Sequence, residues 1–240
     1  MPDFSRRADT AELMDAEDVP FADYSACLHD LERVNIFTFA YRPTLAWLDT
    51  LHDAGRLPSG RAVSIVDVGC GHGDMLRRIR GWARRRGIDA RLVGLDRDQR
   101  AARAAAAVTP AASEIKFVTA DLFDWVSGGP VDVVVSSLFA HHLDDPALTR
   151  FLAWMETTAG CGWFVNDLHR HVFPWHVFRL WSLLAGWHRF VRHDGPVSIA
   201  RAFTAADWRR LLGAAGIPAG TAEIVWRMPF RLCVSRVKTL

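Results

Sequence analysis

From Val63 onward, short β-branched runs alternate with stretches of helical periodicity. Val63, Ile65, Val66 and Val68 make a near-continuous apolar run, which predicts a parallel strand covered on both faces. A helix follows from about Asp74 to Arg86, with Leu76, Ile79 and Ala83 on one face. The second unit pairs a strand, Ala90–Leu95, closed by Asp96, with a helix over about Asp98–Val108 that Pro110 stops. A third strand, Ile115–Ala120, runs into Asp121 and a short turn or helix through Trp125. Val131–Ser136 is the fourth, and Asp144-Asp145-Pro146 then opens a helix to about Thr158 as an N-cap followed by proline. Gly162–Asn166 is the fifth strand and ends in Asp167. Thr204 and Asp207 form a capping-box start for a helix carrying Trp208, Leu211, Leu212 and Ala215. Ala222–Arg227 and Phe230–Arg236 flank Met228-Pro229 as a closing hairpin. The pattern predicts an α/β fold with a mostly parallel sheet, helices on both faces and an antiparallel C-terminal end.

Two stretches stand outside that alternation. Residues 1–61 read as an N-terminal tail and helices, and 168–203 as an insertion before the last large helix. The insertion holds Phe173, Trp175, Phe178, Trp181, Trp187 and Phe190, but His176, Arg179, His188 and Arg189 interrupt it too often for a membrane span. It packs either as an extra core helix or as an aromatic cap, because ligands of open α/β sheets sit outside the carboxyl ends of the strands, where it begins.

Composition narrows the class further. Half of the 240 residues are apolar, enough for a sizeable core, and the formal charge of +2 with both signs interspersed gives no field suited to nucleic acid. The arginines from Arg77 to Arg86 read as the solvated face of their helix. Cys27, Cys70, Cys161 and Cys233 are widely spaced, so neither a disulfide framework nor a zinc-type or other metal spacing is indicated. The first twenty-five residues are acid-rich without an apolar core, which makes a secretory signal unexpected and the cytoplasm the expected compartment.

The densest chemical signal is Asp67-Val68-Gly69-Cys70-Gly71-His72-Gly73-Asp74, a strand-to-helix turn. A dinucleotide fingerprint would place its third glycine at position 74, which is an aspartate here. Carboxylates flanking the turn repel a pyrophosphate and attract a cation, such as the sulfonium and ammonium of S-adenosylmethionine. The motif resembles the first motif, (D/E)-x-G-x-G-x-G, of the class I S-adenosylmethionine-dependent methyltransferases. That resemblance covers about Ala62 to the C-terminus and implies a Rossmann-like fold with a seven-stranded sheet. Residues 62–240 then form the cofactor-binding domain, with the insertion as a helical aromatic substrate cap and 1–61 as an N-terminal helical cap or lid.

S-adenosylmethionine is thus the expected cofactor, held by Asp67, Gly69, Cys70, Gly71 and Gly73 at the turn. Asp96, with Arg97 beside it, is placed to accept both ribose hydroxyls. The resemblance puts Asp121 and Leu122 at the adenine, Ser137 and Leu138 beside the methionine moiety, and Arg42 near its carboxylate. Each aspartate taken singly also suits a helix N-cap.

Methyl transfer needs a positioned nucleophile and a sink for its proton, a task suited to histidine near neutral pH. His141 and His142 follow the fourth strand, and His169 and His171 the fifth. His141-His142-Leu143 resembles the H-H-L stretch of small-molecule methyltransferases of quinone and mycolic-acid biosynthesis. Asn166-Asp167-Leu168-His169-Arg170-His171 resembles methyltransferases encoded with bacterial polyketide pathways. His142 and His169 are the favoured bases, with His141 a third candidate and Asp167 a possible orienting group for His169. Tyr41, His171, Trp175, Phe178 and Trp181 are the expected substrate contacts.

The resulting expectation is O-methylation of a hydrophobic aromatic or polyketide-like small molecule by a monomer or homodimer. C-methylation of a quinone or phenolic ring and a non-catalytic binding partner of the same fold are the alternatives. Base-modifying relatives carry N/D-P-P-(Y/F) after the fourth strand, where this chain has Ser137-Leu138-Phe139-Ala140, and the glycine spacing disfavours a nicotinamide oxidoreductase.

Overall fold

A computed structural model describes residues 2–238; Met1, Thr239 and Leu240, the extreme ends of the two expected domains, lie outside the described residues. Seven strands form one sheet: β1 (Val63–Val68), β2 (Ala90–Asp96), β3 (Ile115–Thr119), β4 (Val131–Ser137), β5 (Ala159–Leu168), β6 (Glu223–Arg227) and β7 (Arg231–Val237). Their order is β3-β2-β1-β4-β5-β7-β6. The first five pair in parallel, while β7 runs antiparallel between β5 and β6. The alternation predicted the mostly parallel sheet with its antiparallel end, and the seven-stranded Rossmann-like arrangement is the one the class I methyltransferase resemblance implied.

Helices α1 (Phe21–Phe37) and α2 (Arg42–Asp53) precede the sheet. Helices α3 (Asp74–Arg86), α4 (Gln99–Val108), α5 (Asp145–Thr158), α6 (Val172–Leu184), α7 (Arg189–Arg201) and α8 (Ala205–Ala214) complete the fold. All six residues of β1 are buried, because its alternate side chains enter two separate cores. Val63 and Ile65 pack with α2 and α3, whereas Val66 and Val68 pack in the core that α5 and α8 cover.

A third, smaller cluster joins the two stretches that stood outside the alternation. Tyr24, Cys27 and Leu28 of α1 pack with Trp187, Phe190 and Val191 of the insertion and with Ala101 and Ala104 of α4. The insertion therefore folds as two helices that share a core with the N-terminal region. Asp194 of α7 accepts from the backbone N–H groups of Leu13 (2.8 Å) and Met14 (3.0 Å), pinning the N-terminal segment. Arg7 adds a 2.7 Å bond to the carbonyl of Leu143 and a 2.8 Å pair with Asp145. Among the described residues no helix is long and apolar enough to cross a membrane.

Candidate active site

The strand order reverses between β1 and β4, and a cavity of about 1280 Å³ opens at the carboxyl ends there. Ligand pockets typically hold about 300–1,000 Å³, so there is room for a nucleoside-sized cofactor and a second molecule. The glycine turn forms its floor. Gly69 has φ +70°, and a Cβ on it would stand 2.4 Å from the Phe139 ring. Gly69→Ala is accordingly expected to displace Phe139, weaken S-adenosylhomocysteine binding at least tenfold and lower the melting temperature, as calorimetry and thermal denaturation would read. The left-handed backbone alone costs about 1–2 kcal/mol for a residue with a Cβ.

Three carboxylates surround the turn. Burial first, and then the negative fields of Asp74 and Asp96, push the Asp67 carboxyl well above its ordinary range. Its Oδ1 is buried without a hydrogen-bond partner. Asp96 is also raised by burial, against bonds from the Asp98 (3.0 Å) and Gly71 (3.0 Å) N–H groups. Asp74 Oδ2 accepts from Tyr41 Oη at 2.6 Å and Asn35 Nδ2 at 3.1 Å, so the end of α1 and the start of α2 close over the turn. Burial, reinforced by Asp74, raises the Tyr41 phenol and keeps it a donor. A negative, partly unpaired cradle of this kind fits a cationic sulfonium and ammonium and opposes a pyrophosphate.

Arg97, Asp121, Leu122, Ser137 and Leu138 also line the cavity, as do Cys70 and Gly71. Gly73 does not: it caps α3, and a Cβ there would stand 2.6 Å from the Phe117 ring, so its small size serves helix–sheet packing. Arg42 is exposed and stacks on the Phe39 ring at 4.2 Å, away from the cavity. Of the expected substrate contacts, Tyr41, Phe178 and Trp181 line it. His171 and Trp175 lie outside it: His171 caps α6 with its ring, and Trp175 packs edge-on against Phe4.

His141, His142 and His169 all reach the cavity wall, in different states. Asp167 is fully buried and accepts from His141 Nδ1 at 2.7 Å and from the Leu168 N–H at 2.6 Å. The orienting carboxylate therefore serves His141 rather than the expected His169, because the loop after β4 folds back onto the end of β5. His142 Nδ1 meets Asp15 Oδ2 at 2.9 Å, and the imidazole rises to about 9: burial lowers it, but Glu12 and Asp15 outweigh burial. His169 goes the other way, lowered by burial and by the positive fields of His171 and Arg170. Its Nδ1 is buried and unpartnered.

Several residues here carried no signal in the linear chain. Glu12 and Asp15 arrive from the N-terminal segment, and Arg231, buried at the start of β7, turns its guanidinium toward the Thr38 hydroxyl at 2.9 Å on the cavity wall.

Residues 65–162 match the model of a family described as a methyltransferase domain. No curated protein sequence matches the chain. Among solved structures, the plantazolicin methyltransferase BpumL in complex with SAH aligns with TM-score 0.57 at 16% identity, over 95% of this chain and 88% of that one. Magnesium protoporphyrin IX methyltransferase from Synechocystis PCC 6803 with bound SAH aligns with TM-score 0.56 at 19% identity, over 93% and 90%. A protein from Nostoc punctiforme PCC 73102, described as a candidate O-methyltransferase, aligns with TM-score 0.57 at 15% identity. That alignment covers 88% of this chain but only 60% of the Nostoc chain. These likenesses define the fold, and the matched segment adds the enzyme class. Residues 65–162 are thus similar to a methyltransferase domain, set in a fold shared with S-adenosylmethionine-dependent methyltransferases.

Proposed function

We propose that the enzyme methylates an oxygen of a hydrophobic aromatic small molecule, with His169 receiving the hydroxyl proton. The observation that carries this reading is one cavity in which the acidic glycine turn, a neutral histidine and the aromatic side chains of the insertion converge. Residues 1–61 and 168–203 act together as the lid of that cavity, the first over the cofactor and the second over the acceptor. Bound S-adenosylmethionine supplies an electrophilic methyl group on a sulfonium. Asp67 and Asp74 hold the cationic end, Asp96 the ribose, and Asp121 with Leu122 the adenine. Phe178, Trp181 and Phe230 orient an apolar ring and exclude water. His169 is the base because His141 and His142 are engaged by carboxylates. Its lowered pKa keeps it unprotonated at neutral pH.

General-base catalysis contributes about 10²–10⁴-fold, so His169→Ala is expected to lower kcat by at least 100-fold while S-adenosylhomocysteine affinity stays within threefold. Because protonation inactivates a base, kcat/KM should fall on the acid side only, below the ordinary histidine range, and His169→Gln should remove that limb. Turnover of His169→Ala near the parent rate would sink the base assignment. Mass spectrometry of products from a panel of phenols tests the acceptor atom: a ring C-methyl product would replace the O-methyl reading.

A further inference from the structure

We propose that Glu12, His141 and His142 form a site for a divalent transition-metal ion on the wall of the methyl-transfer cavity. His141 Nε2 lies 3.6 Å from Glu12 Oε1, and His142 Nε2 lies 3.8 Å from Glu12 Oε2. One ligand atom from each residue falls within 4.8 Å of the others. Ligands bound tetrahedrally at about 2.1 Å stand roughly 3.4 Å apart, so ligation requires these atoms to draw together by about 1 Å or less on each side-chain arm.

The surroundings orient these atoms as ligands. Each histidine offers its Nδ1 to a separate carboxylate, His141 to Asp167 at 2.7 Å and His142 to Asp15 at 2.9 Å. Each carboxylate accepts from its Nδ1–H, so Nε2 is the atom that faces Glu12, and a bound ion would displace the Nε2 proton of His142; this is the outer-shell arrangement typical of metal-bound imidazoles. Glu12 is itself anchored, accepting from Ser198 Oγ at 2.8 Å, and the next two residues are held by Asp194. Glu12 and His141 are buried, while the His142 side chain is 24% exposed. Protein therefore closes one side of the site, and the remaining coordination positions face the cavity.

Two imidazoles and one carboxylate suit zinc, iron(II), manganese or cobalt better than calcium or magnesium. An ion with open positions toward the cavity takes oxygen ligands. If the proposed O-methylation also holds, it would bind an oxygen of the acceptor and lower its hydroxyl pKa, with no change of metal oxidation state.

The test uses the full chain stripped with a chelator and titrated with Zn²⁺ by calorimetry and with Co²⁺ by visible absorption. One ion per chain is expected, with ligand-field bands for Co²⁺. Glu12→Gln and His142→Ala should each weaken binding at least 100-fold, and Asp167→Asn about 10–100-fold. His176→Ala, a distant exposed histidine, should leave it unchanged. Retained S-adenosylhomocysteine binding in Glu12→Gln and His142→Ala shows that they fold. Catechol added to the Co²⁺ form should shift its spectrum, and an unchanged spectrum would rule out open positions toward the cavity. Absence of Zn²⁺ and Co²⁺ binding, or binding that Glu12→Gln and His142→Ala leave intact, overturns the site and leaves a protonated His142 held between Glu12 and Asp15. Both readouts are independent of methyl transfer, so this proposal and the O-methylation reading fail separately.

Discussion

Asp96→Ala is expected to weaken S-adenosylhomocysteine binding by about 100-fold or more. The carboxylate stands at the end of β2 on the cavity wall, where it accepts from the Gly71 and Asp98 N–H groups. Hydrogen bonds to a charged acceptor contribute about 1.5–3 kcal/mol each, so losing the two proposed ribose hydroxyl bonds removes roughly 3 kcal/mol or more. That corresponds to about two powers of ten in affinity. Alanine also frees the Gly71 amide, loosening the turn that carries the other cofactor contacts. Asp96→Asn keeps the shape and one acceptor, so a smaller loss, about tenfold, is expected. Titration calorimetry reads both, with circular dichroism as the check on folding. Because burial raises the Asp96 carboxyl, affinity should decline on acidification from a higher pH than an ordinary aspartate would set. Wild-type affinity in Asp96→Ala would remove Asp96 from the cofactor site.

The largest stability effect is expected at Trp163. It lies on β5 with no exposed surface, and its indole Nε1 donates to Glu156 Oε2 at 2.8 Å. Truncating a buried tryptophan to alanine costs about 3–5 kcal/mol, from lost transfer free energy and the cavity left behind. Against a typical total of about 5–15 kcal/mol, Trp163→Ala should leave a marginal fold. Its melting temperature should drop by roughly 10 °C. Denaturant unfolding gives the free energy directly, and a loss below about 1 kcal/mol would contradict the packing described. Trp163 does not line the cavity, so cofactor affinity measured on the folded fraction should stay unchanged.

Much of the architecture was legible locally. The bounds of β1, α3 and α5, which Asp144 caps, match the predicted spans, because apolar periodicity and capping act within a few residues. β5 is longer than the predicted Gly162–Asn166, reaching from Ala159 to Leu168. Its ends carry weak strand signals and are held by pairing with β4 and β7. Asp67, Asp96 and Asp121 all line the cavity because each stands at or near the carboxyl end of a strand, and parallel strands bring those ends together. Arg42 does not: its place depends on where the α1–α2 junction turns, and there it stacks on Phe39.

Sequence by itself determined the class of fold, the sheet's parallel core with its closing hairpin, and the acidic glycine turn at the carboxyl end of β1. All three rest on interactions spanning a few residues: side-chain period, the glycine φ at a turn, and charge beside it. Only the tertiary structure decided which carboxylate meets which histidine. Asp167 was expected near His169 and instead holds His141, while Glu12 and Asp15 arrive from the far end of the chain to face His141 and His142. Those contacts depend on the packing of α1 against α7 and on Asp194 gripping the N-terminal segment, and no short-range pattern encodes such packing.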